Sequence, residues 1–239
     1  MVESKQVEMF IVHGIGKAGS STKPYTDFVK GVRKYLPLDF DLKVIPIDYA
    51  PILDKREDEI YKWVKNMSPR YDLLAHAERR FAAYFVCDVL AYAYPKRPVA
   101  PGDFMYDLEK MFMEKFAEAR PHAKKVIFGH SLGSIVGYGA SWSVHTDCLI
   151  TAGSPFSWFS IRYKDGGELN PDLGQFHNFW TPHDRVSTVV SKNPKFKSTH
   201  DYQVPNWNPA HWTRLGAHAM YWDSSFVHKK IAQILQNLA

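Results

Sequence analysis

Val126-Ile-Phe-Gly129-His130-Ser131-Leu132-Gly133 decides the reading of this chain, because an apolar, β-prone run ends directly in Gly-x-Ser-x-Gly. A serine framed in this way sits on a sharp turn between a strand and a helix, with its hydroxyl exposed above a sheet. The two glycines have a steric reason to be there. The turn strains the serine's backbone, and a Cβ at 129 or 133 would collide with the neighbouring turn. Upstream, Lys125-Val-Ile-Phe128 supplies the strand. Downstream, Ser134-Ile-Val-Gly-Tyr-Gly-Ala-Ser-Trp142 continues as a helix whose small residues permit close packing on a sheet. His130 points away from the serine by strand alternation and reads as a packing or positioning residue.

Outward from this turn, strand and helix patterns alternate. Val7 to His13 reads as a buried strand ending in His13-Gly14-Ile15-Gly16, and Phe28, Val32, Tyr35 and Leu36 predict a helix over 25–36 that Pro37 stops. Leu42 to Tyr49 is a second strand, made irregular or held near a sheet edge by Pro46. From Ala50 to about Ala100 the chain is helical in pattern and rich in aromatics, too long for a simple crossover, and is expected to form a cap or helical insertion. Its aromatic stripe from Tyr71 to Tyr94 reads as core in preference to a lipid-binding surface. Pro95, Pro98 and Pro101 close it with a rigid connector. Asp103 is placed to cap a helix over 104–119, with Phe104, Leu108, Met111, Phe112 and Phe116 on one face. Further strands are expected at 147–152, 175–181 and, briefly, 200–204, and an amphipathic helix at 225–238. Such alternation predicts an α/β fold: a mostly parallel central sheet flanked by helices, with residues 1–239 as a single domain.

Composition narrows the function. With 45% hydrophobic residues the chain can bury a substantial core. The formal charge of +5 is spread without basic runs, which argues against nucleic-acid binding. Cys87 and Cys148 sit in apolar surroundings and read as buried thiols. The N-terminus lacks an apolar signal region, and the greasiest stretch, Phe81 to Tyr94, is too short to span a membrane and carries Asp88. A cytoplasmic protein is expected, with room for transient contact at a membrane surface. His177, His183 and Asp184 lack metal-ligand spacing, and Gly14-x-Gly16-x-x-Gly19 lacks the context of a dinucleotide site, so no metal and no cofactor are expected.

A serine hydroxyl needs an adjacent base, itself oriented by an acid. After such an elbow the acid follows a later strand and the histidine a later loop. Asp184, in Pro182-His-Asp184-Arg after the strand at 175–181, fits the acid; Asp172, Asp201 and Asp223 are rivals. His218, in a loop just before the last helix, fits the base, against His211 and His200, while His177 and His183 lie close to the acid in sequence. Acyl transfer also needs donors aimed at the developing oxyanion. The Leu132 N–H comes with the elbow, and Ile15, with Gly16 next, is expected to supply the second from the glycine loop after the first strand. His13, Phe156 and Trp158 are candidate walls of the substrate pocket.

Together these pieces resemble an α/β-hydrolase of the lipase/esterase type, and are similar to bacterial hydrolases that share features with PGAP1-type and DDHD-type lipases. The resemblance rests on Val12–Gly16, Phe128–Val136, Ile150-Thr-Ala-Gly-Ser-Pro155, Asn178–Val186 and His218–Trp222, spanning residues 12 to 222. It implies Ser131, Asp184 and His218 as a catalytic triad acting on a small-molecule ester or lipid-like substrate, thioesters included. The helical region at 50–100 and Ser157-Trp-Phe159 align to no subfamily. A binding protein on the same fold, or an acyltransferase with the same triad, are the alternatives.

Overall fold

The structure, a computed structural model, describes residues 6–13, 23–49, 104–157, 169–205 and 214–239. The expected cap at 50–100, Ile15, Gly16, Cys87, Trp158 and His211 lie outside the described residues.

Among the described residues the strands are β1 (Gln6–Val12), β2 (Asp41–Ile47), β3 (Lys124–His130), β4 (Thr146–Ala152), β5 (Leu173–Trp180) and β6 (His200–Gln203). The helices are α1 (Lys23–Arg33), α2 (Phe104–Ala117), α3 (Leu132–Ala140), α4 (Arg214–Ala219) and α5 (Ser225–Leu238). The strands form one six-stranded sheet in the order β2-β1-β3-β4-β5-β6, and every pairing is parallel. Pro46 lies on β2, an edge strand, where a proline is tolerated.

The inner strands β1, β3 and β4 are buried on both faces, which is why they read as near-continuous apolar runs. Val7, Met9 and Ile11 of β1 pack with Phe28, Val32, Val227 and Ile231 from α1 and α5. Phe10 and Val12 point the other way, toward Leu108, Phe112 and Phe116 of α2 and Ile135 and Val136 of α3. Each fully buried side chain of this size contributes about 1.5–3 kcal/mol by leaving water. Helix α1 ends earlier than its spacing predicts. Tyr35 N–H and Leu36 N–H donate to Val32 O and Arg33 O, so the chain tightens into three-residue turns before Pro37, whose ring disfavours a helical residue ahead of it.

The strand order reverses between β1 and β3: the chain moves outward from β1 to β2, then crosses to the far side of β1. Ligand sites in open parallel sheets lie at the carboxyl ends of the strands where this reversal opens a crevice. Register brings those ends level, with Val12 opposite Gly129, Gly129 opposite Thr151 and Ala152 opposite Phe179.

Glu8 of β1 is fully buried and is held by Arg120 Nε at 2.8 Å, Arg120 N–H at 3.3 Å and Lys43 Nζ at 3.3 Å. Burial pushes its carboxyl up, but the bonds from Arg120 and Lys43 outweigh that and hold it below its ordinary value. A carboxylate depressed in the folded state stabilises fully above its unfolded pKa and loses that contribution as pH falls through the folded value. Glu8→Gln should therefore lower the urea midpoint at neutral pH while flattening its decline in acid, measured by unfolding curves from about pH 7 to about pH 3.

Candidate active site

Ser131 has φ 55° and ψ −129°, the positive-φ non-glycine residue among those described. That conformation costs on the order of 1–3 kcal/mol and persists only where the surroundings fix it. Here they do. Ser131 N–H donates to Ala152 O at 2.9 Å, and Ser131 O accepts from Ser134 N–H at 3.0 Å and from Ser134 Oγ. The glycines let the chain close around it: a Cβ on Gly129 would stand 2.5 Å from Ser134 Cα, and one on Gly133 would stand 2.3 Å from Val12 O. Leu132 opens α3, so its N–H is among those a helix leaves without an internal acceptor.

The serine is not openly exposed as the sequence suggests. It is 2% accessible, and its neighbours His130 and Leu132 are buried with it.

Asp184 and His218 are 34 residues apart in sequence and meet in the interior, His218 Nδ1 to Asp184 Oδ2 at 2.9 Å. An ionised carboxylate only accepts, so Nδ1 carries the proton and, in the neutral ring, Nε2 carries the lone pair. The acid's turn after β5 is tied internally: Asp184 N–H donates to Thr181 O, and Asp184 Oδ1 accepts from Val186 N–H at 2.9 Å. His218 stands in the last turn of α4, not in a loop. A helix of six residues is too short to leave a periodic trace in sequence.

Tyr221, unassigned by sequence reasoning, donates its hydroxyl to the same Asp184 Oδ2 at 3.0 Å. Burial, then the adjacent Asp184 charge, push its phenol well above the ordinary value, so it stays a donor. Its position three residues after His218 is the signal that was there to read, since residues at that spacing share a helical face. Gly153, at φ 59°, lies against the whole group. A Cβ there would be 2.9 Å from Tyr221 Cε2 and 3.2 Å from both Asp184 Oδ2 and His218 Cε1. Because Ser131 N–H binds Ala152 O, the residue before Gly153, the serine and the Asp184–His218 pair converge on one short segment.

No family model matches the chain, and no curated protein matches it. Solved structures do. A protein from Xanthomonas campestris pv. campestris assigned to the α/β superfamily of hydrolases is 15% identical, with 97% of this chain and 99% of that chain covered and a TM-score of 0.50. Esterase PE8 is 10% identical, with 98% and 93% covered and a TM-score of 0.51. The chain has the α/β-hydrolase fold. These likenesses carry the fold alone, and neither singles out the PGAP1-type or DDHD-type lipases.

Within the α/β-hydrolase fold the rival residues have other surroundings. Asp201 accepts from Val190 N–H, Ser191 N–H and Asn178 Nδ2, pinning the loop after β5 to β6. Asp172 and Asp223 are exposed, as are His183 and His200. His177 binds Tyr202 and Gln175 and stacks on His200, away from Ser131 on the outer strands. His13 directly follows β1 and stacks on Trp222 with ring centroids 5.6 Å apart. Phe156 is buried among Tyr138, Phe176 and Phe196, so the structure places it in the core. Cys148 is a buried free thiol. Among the described residues, no three His, Cys, Asp or Glu side chains group to hold a metal ion, and no helix is long and apolar enough to cross a membrane.

Gly153→Ala should cost about 1–3 kcal/mol, because the methyl meets Tyr221 and forces strain on a residue at positive φ. Guanidinium unfolding of the variant beside wild type measures it.

Proposed function

We propose that the chain is a serine hydrolase that cleaves a carboxylic ester, or a thioester, through an acyl-enzyme on Ser131. The observation that carries this reading is the strained Ser131 elbow beside a buried, hydrogen-bonded Asp184–His218 pair in α/β-hydrolase order.

In this mechanism Ser131 Oγ attacks the carbonyl carbon while His218 Nε2 takes its proton. Asp184 keeps the imidazole in the Nδ1–H tautomer and faces the imidazolium that forms. The tetrahedral oxyanion is met by the Leu132 N–H at the start of α3, where the helix dipole favours negative charge. Ile15, with Gly16 next, is proposed for the second donor. Supporting that choice, Val12 O and His13 O stand against Gly133, so the end of β1 that leads to Ile15 abuts the elbow. Nε2 then returns the proton to the leaving alcohol or thiol, and a water deprotonated by the same nitrogen releases the acid. The aromatic segment at 50–100 favours an apolar acyl group.

A fluorophosphonate probe should label the wild-type protein covalently, and Ser131→Ala should abolish labelling. A labelled alanine variant would remove Ser131 as nucleophile. An unlabelled wild type that also turns over no member of a p-nitrophenyl ester series would favour a binding protein on this fold.

A further inference from the structure

His130 precedes Ser131, is 5% accessible, and has no place in the reaction as proposed. Its Nε2 lies 2.8 Å from the backbone carbonyl oxygen of His218. A carbonyl only accepts, so the ring is the Nε2–H tautomer and donates this bond. The two imidazoles pack with centroids 4.8 Å apart, and the indole of Trp222 closes on His130 at 5.0 Å. The residue that ends the nucleophile strand thus holds the main chain of α4 at the point where the other histidine emerges. No covalent neighbour joins these segments, which are 88 residues apart.

We propose that His130 is a positioning residue: its Nε2–H bond to His218 O fixes α4 against the elbow, and so sets where the His218 ring stands relative to Ser131. The proposal rests on the hydrolase reading for its kinetic consequence, but the bond itself does not. The titratable groups facing His130 are His218 from α4, Tyr221 from the turn after it and His13 just after β1. A second positive charge among them would oppose the imidazolium of the reaction. Burial first, then His218, hold His130 well below the ordinary imidazole value, so it acts as a neutral donor. Its Nδ1 is buried without a hydrogen-bond partner among the described residues, which leaves Nε2–H as the ring's useful contact.

Glutamine carries an amide N–H at a reach close to that of imidazole Nε2, whereas leucine keeps apolar bulk and donates nothing. His130→Gln should retain at least about a third of the wild-type kcat on p-nitrophenyl acetate. His130→Leu should lose about tenfold to a hundredfold in kcat with KM nearly unchanged, the scale of a small misplacement of reacting groups. Thermal midpoints of both variants are read alongside, and His130→Met replaces the leucine variant if that one does not fold. Equal losses in the glutamine and apolar variants, or no loss in the apolar one, overturn the proposal. Ring-nitrogen NMR of Ser131→Ala protein, labelled at histidine, tests the bond without turnover. A neutral, exchange-protected Nε2–H on His130 supports it, and an Nδ1–H tautomer or a charged ring overturns it. An unlabelled, inactive wild type that shows the protected Nε2–H would sink the hydrolase reading alone.

Discussion

The φ of 55° at Ser131 is the constraint on which the rest of the molecule depends. An L-residue is held there only if its surroundings leave no alternative, and at Ser131 the alternatives are closed from several sides. The strand fixes it from before and α3 from after, and Ala152 O holds its N–H. The absence of side chains at 129 and 133 lets α3 press onto the ends of β1 and β3. Sterics and hydrogen bonds share the work. Ser154 Oγ accepts from Phe156 N–H, and Ser134 Oγ donates to Ser131 O, so the 2.6 Å contact between the two hydroxyls must run from Ser154 to Ser134. A directed chain of donors therefore links the turn after β4 to the strained carbonyl, and each bond polarises the next.

Topology explains why the strain is stored at this place. β3 is central, with β1 and β4 on either side, and register leaves the ends of these strands and of β5 nearly level. Three segments at those ends meet around the site: the elbow at Ser131, the turn at Gly153 and the turn carrying Asp184. His218 comes from outside the sheet, on a helix too short to hold itself in place. Its position depends on Asp184 at one end and the His130 bond at the other, on a site floor made rigid by a sheet packed on both faces.

Much of this was legible in the chain. Strands buried on both faces announce themselves as apolar runs, and Gly129-x-Ser131-x-Gly133 has a narrow steric meaning. Asp184 stood out because it follows a strand directly in a turn-forming stretch, and His218 because it precedes the last helix. What could not be read depends on distant neighbours. Asp201 looked like a rival acid in sequence, yet it accepts from two backbone N–H groups and an amide from β5. Ser131 is buried, and no local pattern encodes that burial. Tyr221 and Gly153 lie between these cases. The spacing from His218 and the sequence Ala152-Gly153-Ser154-Pro155 carried their signals, but the meaning appears only once both are known to lie against Asp184.

The electrostatics of the group follow from its burial. Tyr221 is kept protonated by desolvation and by Asp184, and His130 is kept neutral by desolvation and by His218. Both therefore act as fixed donors with no charge of their own, one on the carboxylate and one on the main chain of His218. Among the described residues, Asp184 is the carboxylate hydrogen-bonded to His218. Were His130 also charged, two cations would stand at ring-contact distance in a medium that screens poorly. With His130 neutral, an imidazolium formed at His218 has Asp184 to itself, and the burial that makes the polar cluster costly to assemble also keeps its charges in order.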